Sequence, residues 1–227
     1  MRWAAPVVFV SLVLFFASGC GGGGGSSSTA NLRFVQGSPD APAVNLLVNG
    51  TTETSNMLYG NASGYVSVKA GTVHVQVIPV NSTKPLLDQS VSLADSAHET
   101  LFLTGPVSQL KPLVLKDGVA TSTTTTTNNV RVVNISTQMG PADVYLVAPG
   151  VNLGAATAVA SGLAFGQNTT YTTFTQGGNY EVYMTVPGSL TVYLATGPLT
   201  FASKLVQTVV IEDAPAGGFT FSVLDDQ

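Results

Sequence analysis

The sequence predicts an all-β fold: two tandem Greek-key, immunoglobulin-like β-sandwich domains behind a cleaved signal peptide. Three observations predict it. Short β-branched runs alternate apolar and polar residues with period two, as in Val73, Val75 and Val77 against Thr72, His74 and Gln76. Gly, Pro, Asn and Ser break these runs about every eight to twelve residues, the punctuation of a sandwich. The chain also repeats itself, in two blocks each about the size of an immunoglobulin-like domain.

The N-terminus is a leader. Met1-Arg2-Trp3 is followed by a thirteen-residue run, 4–16, that is almost wholly apolar, then Ala17-Ser18-Gly19-Cys20. A charged start, a short apolar stretch and small residues form a signal peptide, and the last four resemble a lipobox, with Ala17 where leucine is commoner. As a helix the run covers about 20 Å, short of the roughly 30 Å hydrocarbon core, and Pro6 lies within it, which argues against a transmembrane span. A plain secretory signal is the other competitor. Cys20 is the sole cysteine, and its place in the motif makes it the expected lipidation site. Several acyl chains anchor a protein stably where one does not.

Composition narrows the function classes. Without residues 1–19, seven basic side chains face twelve acidic ones, and charged residues are only 9% of the whole chain, well below the ~25% of ordinary soluble domains. No basic patch exists to meet phosphates, so nucleic-acid binding is disfavoured. With Cys20 acylated no internal disulfide can form, and stability must come from apolar burial, for which 44% hydrophobic residues suffice.

The segment 20–31 combines the lipidated cysteine with a Gly/Ser tether, and 120–129 is a threonine-rich linker that argues for independent domains, two sandwiches on a string. These divide the chain into a signal peptide at 1–19, a first sandwich at 32–119 and a second at 130–227. Leu32-Arg33-Phe34-Val35 matches Val130-Arg131-Val132-Val133, and Asn45-Leu46-Leu47-Val48 matches Asp143-Val144-Tyr145-Leu146. Further on, Tyr59-Gly60 matches Phe165-Gly166, Tyr65 matches Tyr171, and the strand from Gly71 matches that from Gly178. Leu87-Asp88-Gln89-Ser90-Val91 aligns with Leu205-Val206-Gln207-Thr208-Val209, and Asp95 with Asp213. The second copy thus carries insertions, including an extra hairpin turning at Pro187-Gly188.

The first block reads Ser38-Pro39-Asp40-Ala41-Pro42, then Asn45-Leu46-Leu47-Val48-Asn49-Gly50, Tyr59-Gly60 and Ser63-Gly64-Tyr65. This series resembles the bacterial extracytoplasmic domain of unknown function 4397 (DUF4397) family, whose members carry a similar S-P-D-A-P turn, a V-Y-V-N-G-like strand end and a Y-G-x-x-S-G-Y segment. The second block keeps Ser136 and Pro141 but loses the aspartate. The resemblance implies a β-sandwich at the cell surface and brings no established activity.

Candidate chemistry is sparse. His74 falls on the polar face of a strand, and His98 lies in a turn before one. Neither shows metal-ligand spacing, so no metal site, cofactor or catalytic residue is assigned. Gly60-Asn61-Ala62-Ser63-Gly64 is a poor nucleophile elbow, its serine one residue late. Asp40 reads as a backbone cap, and the pairs Glu212-Asp213 and Asp225-Asp226 as solvated turn acids rather than calcium ligands. The five Asn-x-Ser/Thr sequons are most simply turn asparagines. Tyr65 and Tyr171 are the candidate binding residues. Outward, they could stack on a sugar or a protein; inward, they would close a sandwich edge as in a tyrosine corner. Tyr59 and Phe165 read as core.

The expected function is therefore a membrane-anchored cell-envelope lipoprotein, held by lipid on Cys20, with a non-catalytic binding, adhesion or structural role and an unknown protein or glycan partner. Gly21 after the cysteine resembles outer-membrane sorting, placing it at the outer membrane or cell surface. A carbohydrate-binding surface module is the alternative, and an envelope hydrolase using His98 the more distant one.

Overall fold

A computed structural model describes residues 1, 28–118, 127–174 and 177–226. The signal peptide, Cys20 and most of the Gly/Ser and threonine segments lie outside the described residues. Eighteen strands and two short 3-10 turns make up the described secondary structure. Strand β1 (Thr29–Gly37) begins within the stretch read as tether, and β9 (Asn128–Asn134) within the stretch read as linker. Asn128 and Asn129 are buried strand residues rather than linker.

The first eight strands form a β-sandwich. One sheet has the order β4-β1-β7-β8 and the other β3-β2-β5-β6, where β2 is Val44–Val48, β3 Thr51–Met57, β4 Val66–Lys69, β5 Gly71–Pro79, β6 Leu87–Leu93, β7 His98–Thr104 and β8 Lys111–Asp117. Asn49 and Gly50 join β2 to β3 with φ of 49° and 82°, the left-handed pair that a two-residue type I′ hairpin requires. Leu32 and Phe34 from β1, Val73, Val75 and Val77 from β5, and Leu101 and Leu103 from β7 fill the core between the sheets.

The remaining strands repeat the plan. Beyond β9 they are β10 (Ala142–Val147), β11 (Ala160–Leu163), β12 (Gln167–Asn168), β13 (Thr172–Phe174), β14 (Gly178–Thr185), β15 (Val192–Ala195), β16 (Leu199–Phe201), β17 (Val206–Asp213) and β18 (Phe219–Asp225). One sheet is β12-β9-β17-β18 with β13 also on β9; the other is β11-β10-β14-β15 with β16 also on β14. Pairing is antiparallel except at the two equivalent pairs β1·β7 and β9·β17, which are parallel because the chain leaves that sheet and returns before the second strand.

Two parts of the repeat alignment are corrected by the sheets. Both β7 and β17 lie parallel to the first strand of their sandwich, with Arg33 opposite Thr100 and Arg131 opposite Thr208. Thr208 is therefore the counterpart of Thr100, whereas Leu87–Leu93 belongs to the other sheet; Asp95 and Asp213 are not equivalents. The hairpin at Pro187-Gly188 is not extra either. It joins β14 to β15 as the 80–86 turn joins β5 to β6, and β15 and β16 together, broken at 196–198, occupy the β6 position. The real insertion is the 148–159 loop between β10 and β11, where the first sandwich has only Asn49-Gly50.

The two sandwiches are not independent. Val35, Phe102, Val133, Ile135, Val210 and Leu224, joined by Leu113 and Leu115, form a third apolar cluster drawn from both. The β1/β7/β8 and β9/β17/β18 sheets are thus packed face to face, and the molecule is a four-layer stack. All seven residues of β9 and all eight of β17 are buried, since each strand has a core on either side. The alternating pattern survives on the first sandwich's outer sheet, as in β5, whereas β10 of the second is buried along its whole length.

Candidate functional site

Among the described residues, a dense gathering of ionisable and hydroxyl groups lies in the layer between the sandwiches. Alternation along each inner strand builds it. On β1, Leu32 and Phe34 point into their own core, so Arg33 and Val35 point at the opposite sandwich; β9 does the same with Val130 and Val132 against Arg131 and Val133. Thr100 and Thr208 stand beside the arginines in register.

The contacts are reciprocal. Arg33 donates from Nε to Thr100 Oγ1 at 2.9 Å and from Nη2 to Asp226 Oδ1 at 2.5 Å; its Nη1 donates to the Asp225 carbonyl at 2.8 Å. Arg131 repeats this in the other direction, donating to Thr208 Oγ1 at 2.7 Å, to the Lys116 carbonyl at 2.7 Å and to Asp117 Oδ1. Each aspartate takes two more hydrogen bonds from its own sandwich. Asp117 Oδ2 accepts from Thr100 at 2.5 Å and Tyr65 at 2.7 Å, and Asp226 Oδ2 from Thr208 at 2.5 Å and Tyr171 at 2.7 Å. The Tyr65 and Tyr171 rings lie 4.8 and 4.9 Å from the arginine carbons, a cation–π distance. All four charged groups are at most 4% exposed, so two cations and two anions neutralise one another in a dry layer.

Tyr65 and Tyr171 are therefore brought together, and neither is an outward platform. Burial, foremost, and the carboxylates they bind push both phenols well above their ordinary range. The inward, edge-closing role is the one the structure assigns them, and their partners are charged side chains across an interface. Asp226, expected as a solvated turn acid, is buried. His98 is the first residue of β7 and meets the Tyr65 ring edge-on at 5.0 Å. Arg33, Arg131, Asp117 and Asp226 were not among the expected site residues. One signal could have found the arginines: two of only eight basic residues occupy matching places in both repeats, each inside an apolar run.

The ends of this interface differ. Tyr59 is half-buried and donates to the Asp213 carbonyl across the boundary at 2.8 Å. Its counterpart Phe165, read as core, is 39% exposed, its ring tip 3.9 Å from the Cβ position of Gly105 across the same boundary. Asp213 accepts from Ser136, Thr137 and Gln138. Beside it Glu212 is 2% exposed; its Oε1 accepts from Ser222 at 2.7 Å, while Oε2 finds no hydrogen-bond partner and faces Gly60 of the first sandwich. Burial pushes this carboxyl above its ordinary range, with the Asp213 charge adding to the effect.

On the outer face of the first sandwich, His74 Nε2 donates to Asp88 Oδ1 at 2.5 Å and Gln76 to Asp88 Oδ2 at 2.9 Å. Those hydrogen bonds, Gln76 first, hold Asp88 below its usual range. Asp40 caps Val107 N at 2.8 Å. Among the described residues no three His, Cys, Asp or Glu side chains gather in a way that could hold a metal, and no helix is long and apolar enough to cross a membrane.

No curated protein matches the chain. Among solved structures it is similar to CBMbc, a family CBM26 module of Eubacterium rectale Amy13K crystallised with maltoheptaose, at 8% identity and a TM-score of 0.28 over 88% of this chain and 97% of that one. The model of the family described as "Domain of unknown function (DUF4397)" matches residues 30–145, a span that begins in β1, takes in the whole first sandwich and ends in β10. The Ser38-Pro39-Asp40 turn, Arg33, Tyr65 and Asp117 all fall within that match, and the chain belongs to the DUF4397 family.

Proposed function

We propose that the protein is a lipid-anchored component of the bacterial cell envelope with a non-catalytic binding or structural role. The observation that carries this reading is the reciprocal Arg33–Asp226 and Arg131–Asp117 clamp. The four charged side chains of this layer are spent on one another: every oxygen of both aspartates accepts at least one hydrogen bond. Such a layer joins two sandwiches into one body, which is a structural use of these groups. The lipobox-like Ala17-Ser18-Gly19-Cys20 supports the address. Eight residues separate Cys20 from Thr29, the first of β1, so an acylated Cys20 would hold that strand within roughly 30 Å of the lipid even at full extension.

Intact mass and membrane fractionation of the native protein, beside Cys20→Ala, test the proposal. A diacylglyceryl-plus-acyl increment, with membrane association lost in the variant, is the expected result. An unlipidated protein in the soluble fraction overturns it.

A further inference from the structure

The two sandwiches share a plan but present different outer faces. On β14, Val182 and Met184 lie in the core at 0% exposure, so Tyr183, Glu181 and Asn179 point away from it. Tyr145 of β10 stands directly opposite Tyr183, and Val147 opposite Glu181. Tyr183 is half-exposed, and its hydroxyl donates to Glu181 Oε2 at 2.6 Å, fixing ring and carboxylate relative to each other. Flanking it, Ala195 is exposed and small, and Val192 is 44% exposed. At the far end Thr200 donates to Asn179 Oδ1 at 2.8 Å, both side chains exposed. The same places in the first sandwich hold Leu47, Gln76 and His74, with the polar Asp88 network over them.

From this we infer that the outer β14/β15 face of the second sandwich, beside the buried β10, is a binding face for a neutral, hydroxyl-rich ligand, an oligosaccharide. A sugar ring offers an apolar C–H face and a rim of hydroxyl donors and acceptors. Tyr183 supplies a rigid aromatic surface for the first, while Glu181 and the Asn179 amide supply acceptors and donors for the second. Tyr145, 9% exposed, underlies this row rather than presenting a second ring. None of Asn179, Glu181, Tyr183, Val192, Ala195 and Thr200 is a cation, and the one charge is negative. Phosphates, nucleic acids and anionic headgroups would meet repulsion there. This inference rests on the binding role proposed above and names its ligand class and its face.

Affinity electrophoresis of the mature chain, in native gels holding amylopectin, laminarin, xylan or glycol chitin, tests it. We expect retardation by at least one of these neutral glycans and none by heparin. Tyr183→Ala should weaken the retardation at least tenfold, Glu181→Gln should weaken it with the melting temperature unchanged, and His74→Ala on the sister face should leave it intact. No retardation in any neutral glycan overturns the inference, as does retardation that survives both Tyr183→Ala and Glu181→Gln, or preference for heparin. Membrane fractionation is read separately, so a blank glycan panel leaves the anchored role standing.

Discussion

Arg33 and Asp226 are separated by 193 positions in the chain and meet at 2.5 Å in the layer between the two sandwiches. Arg131 and Asp117 make the same contact in the reverse sense. Each aspartate serves the arginine of the opposite sandwich while holding the tyrosine and threonine of its own. The interface therefore has the self-complementarity of an isologous dimer, built within one chain.

Removing one partner strands a buried charge. Asp226→Ala leaves Arg33 only the more distant Asp117 carboxylate, at 3.6 Å, in a buried layer, and the expected cost is about 3 kcal/mol. Replacing both partners with apolar residues, as in Arg33→Met with Asp226→Leu, should recover most of that loss. Urea denaturation of Arg33→Met, Asp226→Leu and the double variant measures it; strictly additive losses would show that the pair is not coupled.

Gly37 tests the closeness of the sheets. A Cβ built there would stand 2.5 Å from Ile135 Cδ1, across the interface, and 2.9 Å from the Leu103 carbonyl oxygen of the neighbouring strand. The Ile135 side chain can rotate away, but the carbonyl belongs to a paired strand. Gly37→Ala should therefore destabilise by about 1–3 kcal/mol, read as a lowered urea midpoint. No change would mean that β1 and β7 part enough at Gly37 to admit a methyl group, and that Ile135 rotates out of its way.

The sandwich fold was legible from period-two runs such as Val73, Val75 and Val77, because an outer strand has one wet face and shows its alternation directly. The interface was not. Val130, Val132, Val209 and Ile211 face one core, while Val133 and Val210 face another. A strand buried on both sides reads only as a hydrophobic run. Tyr65 and Tyr171 could be paired across the repeat, but their direction could not be read, since Asp117 and Asp226 approach them from distant strand ends. The likeness of Leu87–Val91 to Leu205–Val209 is misleading, since the sheets align Thr100 with Thr208. The Leu87 segment lies in an outer sheet, and its local pattern resembles any other exposed strand.

Cleaving the chain between the sandwiches should leave them together. An apolar cluster drawn from both, plus four buried charges paired across the boundary, holds them without the linker. With a protease site inserted among residues 119–126, the nicked protein is expected to elute as one species in size-exclusion chromatography. It should separate only in denaturant, and Asp226→Ala should lower the concentration needed. Two independently eluting halves after cleavage would return the molecule to two sandwiches on a string.

Glu212 should make stability fall as pH rises. Its carboxyl is raised above the ordinary range by burial foremost, with the neighbouring Asp213 charge reinforcing this and the Ser222 hydrogen bond opposing it. Tyr59, on the first sandwich, is raised in turn by burial and by the Glu212 charge. The folded state therefore binds the Glu212 proton more tightly than the unfolded chain does. That contribution is fully present below the unfolded value, about 4.3, and is lost as pH rises through the higher folded value. One proton sets the limit of the slope, about 1.4 kcal/mol per pH unit. Glu212→Gln keeps the shape and the Ser222 contact but cannot ionise beside Gly60. It should be more stable than the parent at pH 8, similar at pH 4, and flatter between them by urea denaturation. A parent and variant with parallel profiles would mean that Glu212 carries its charge inside the interface, and that the free Oε2 has found a partner there.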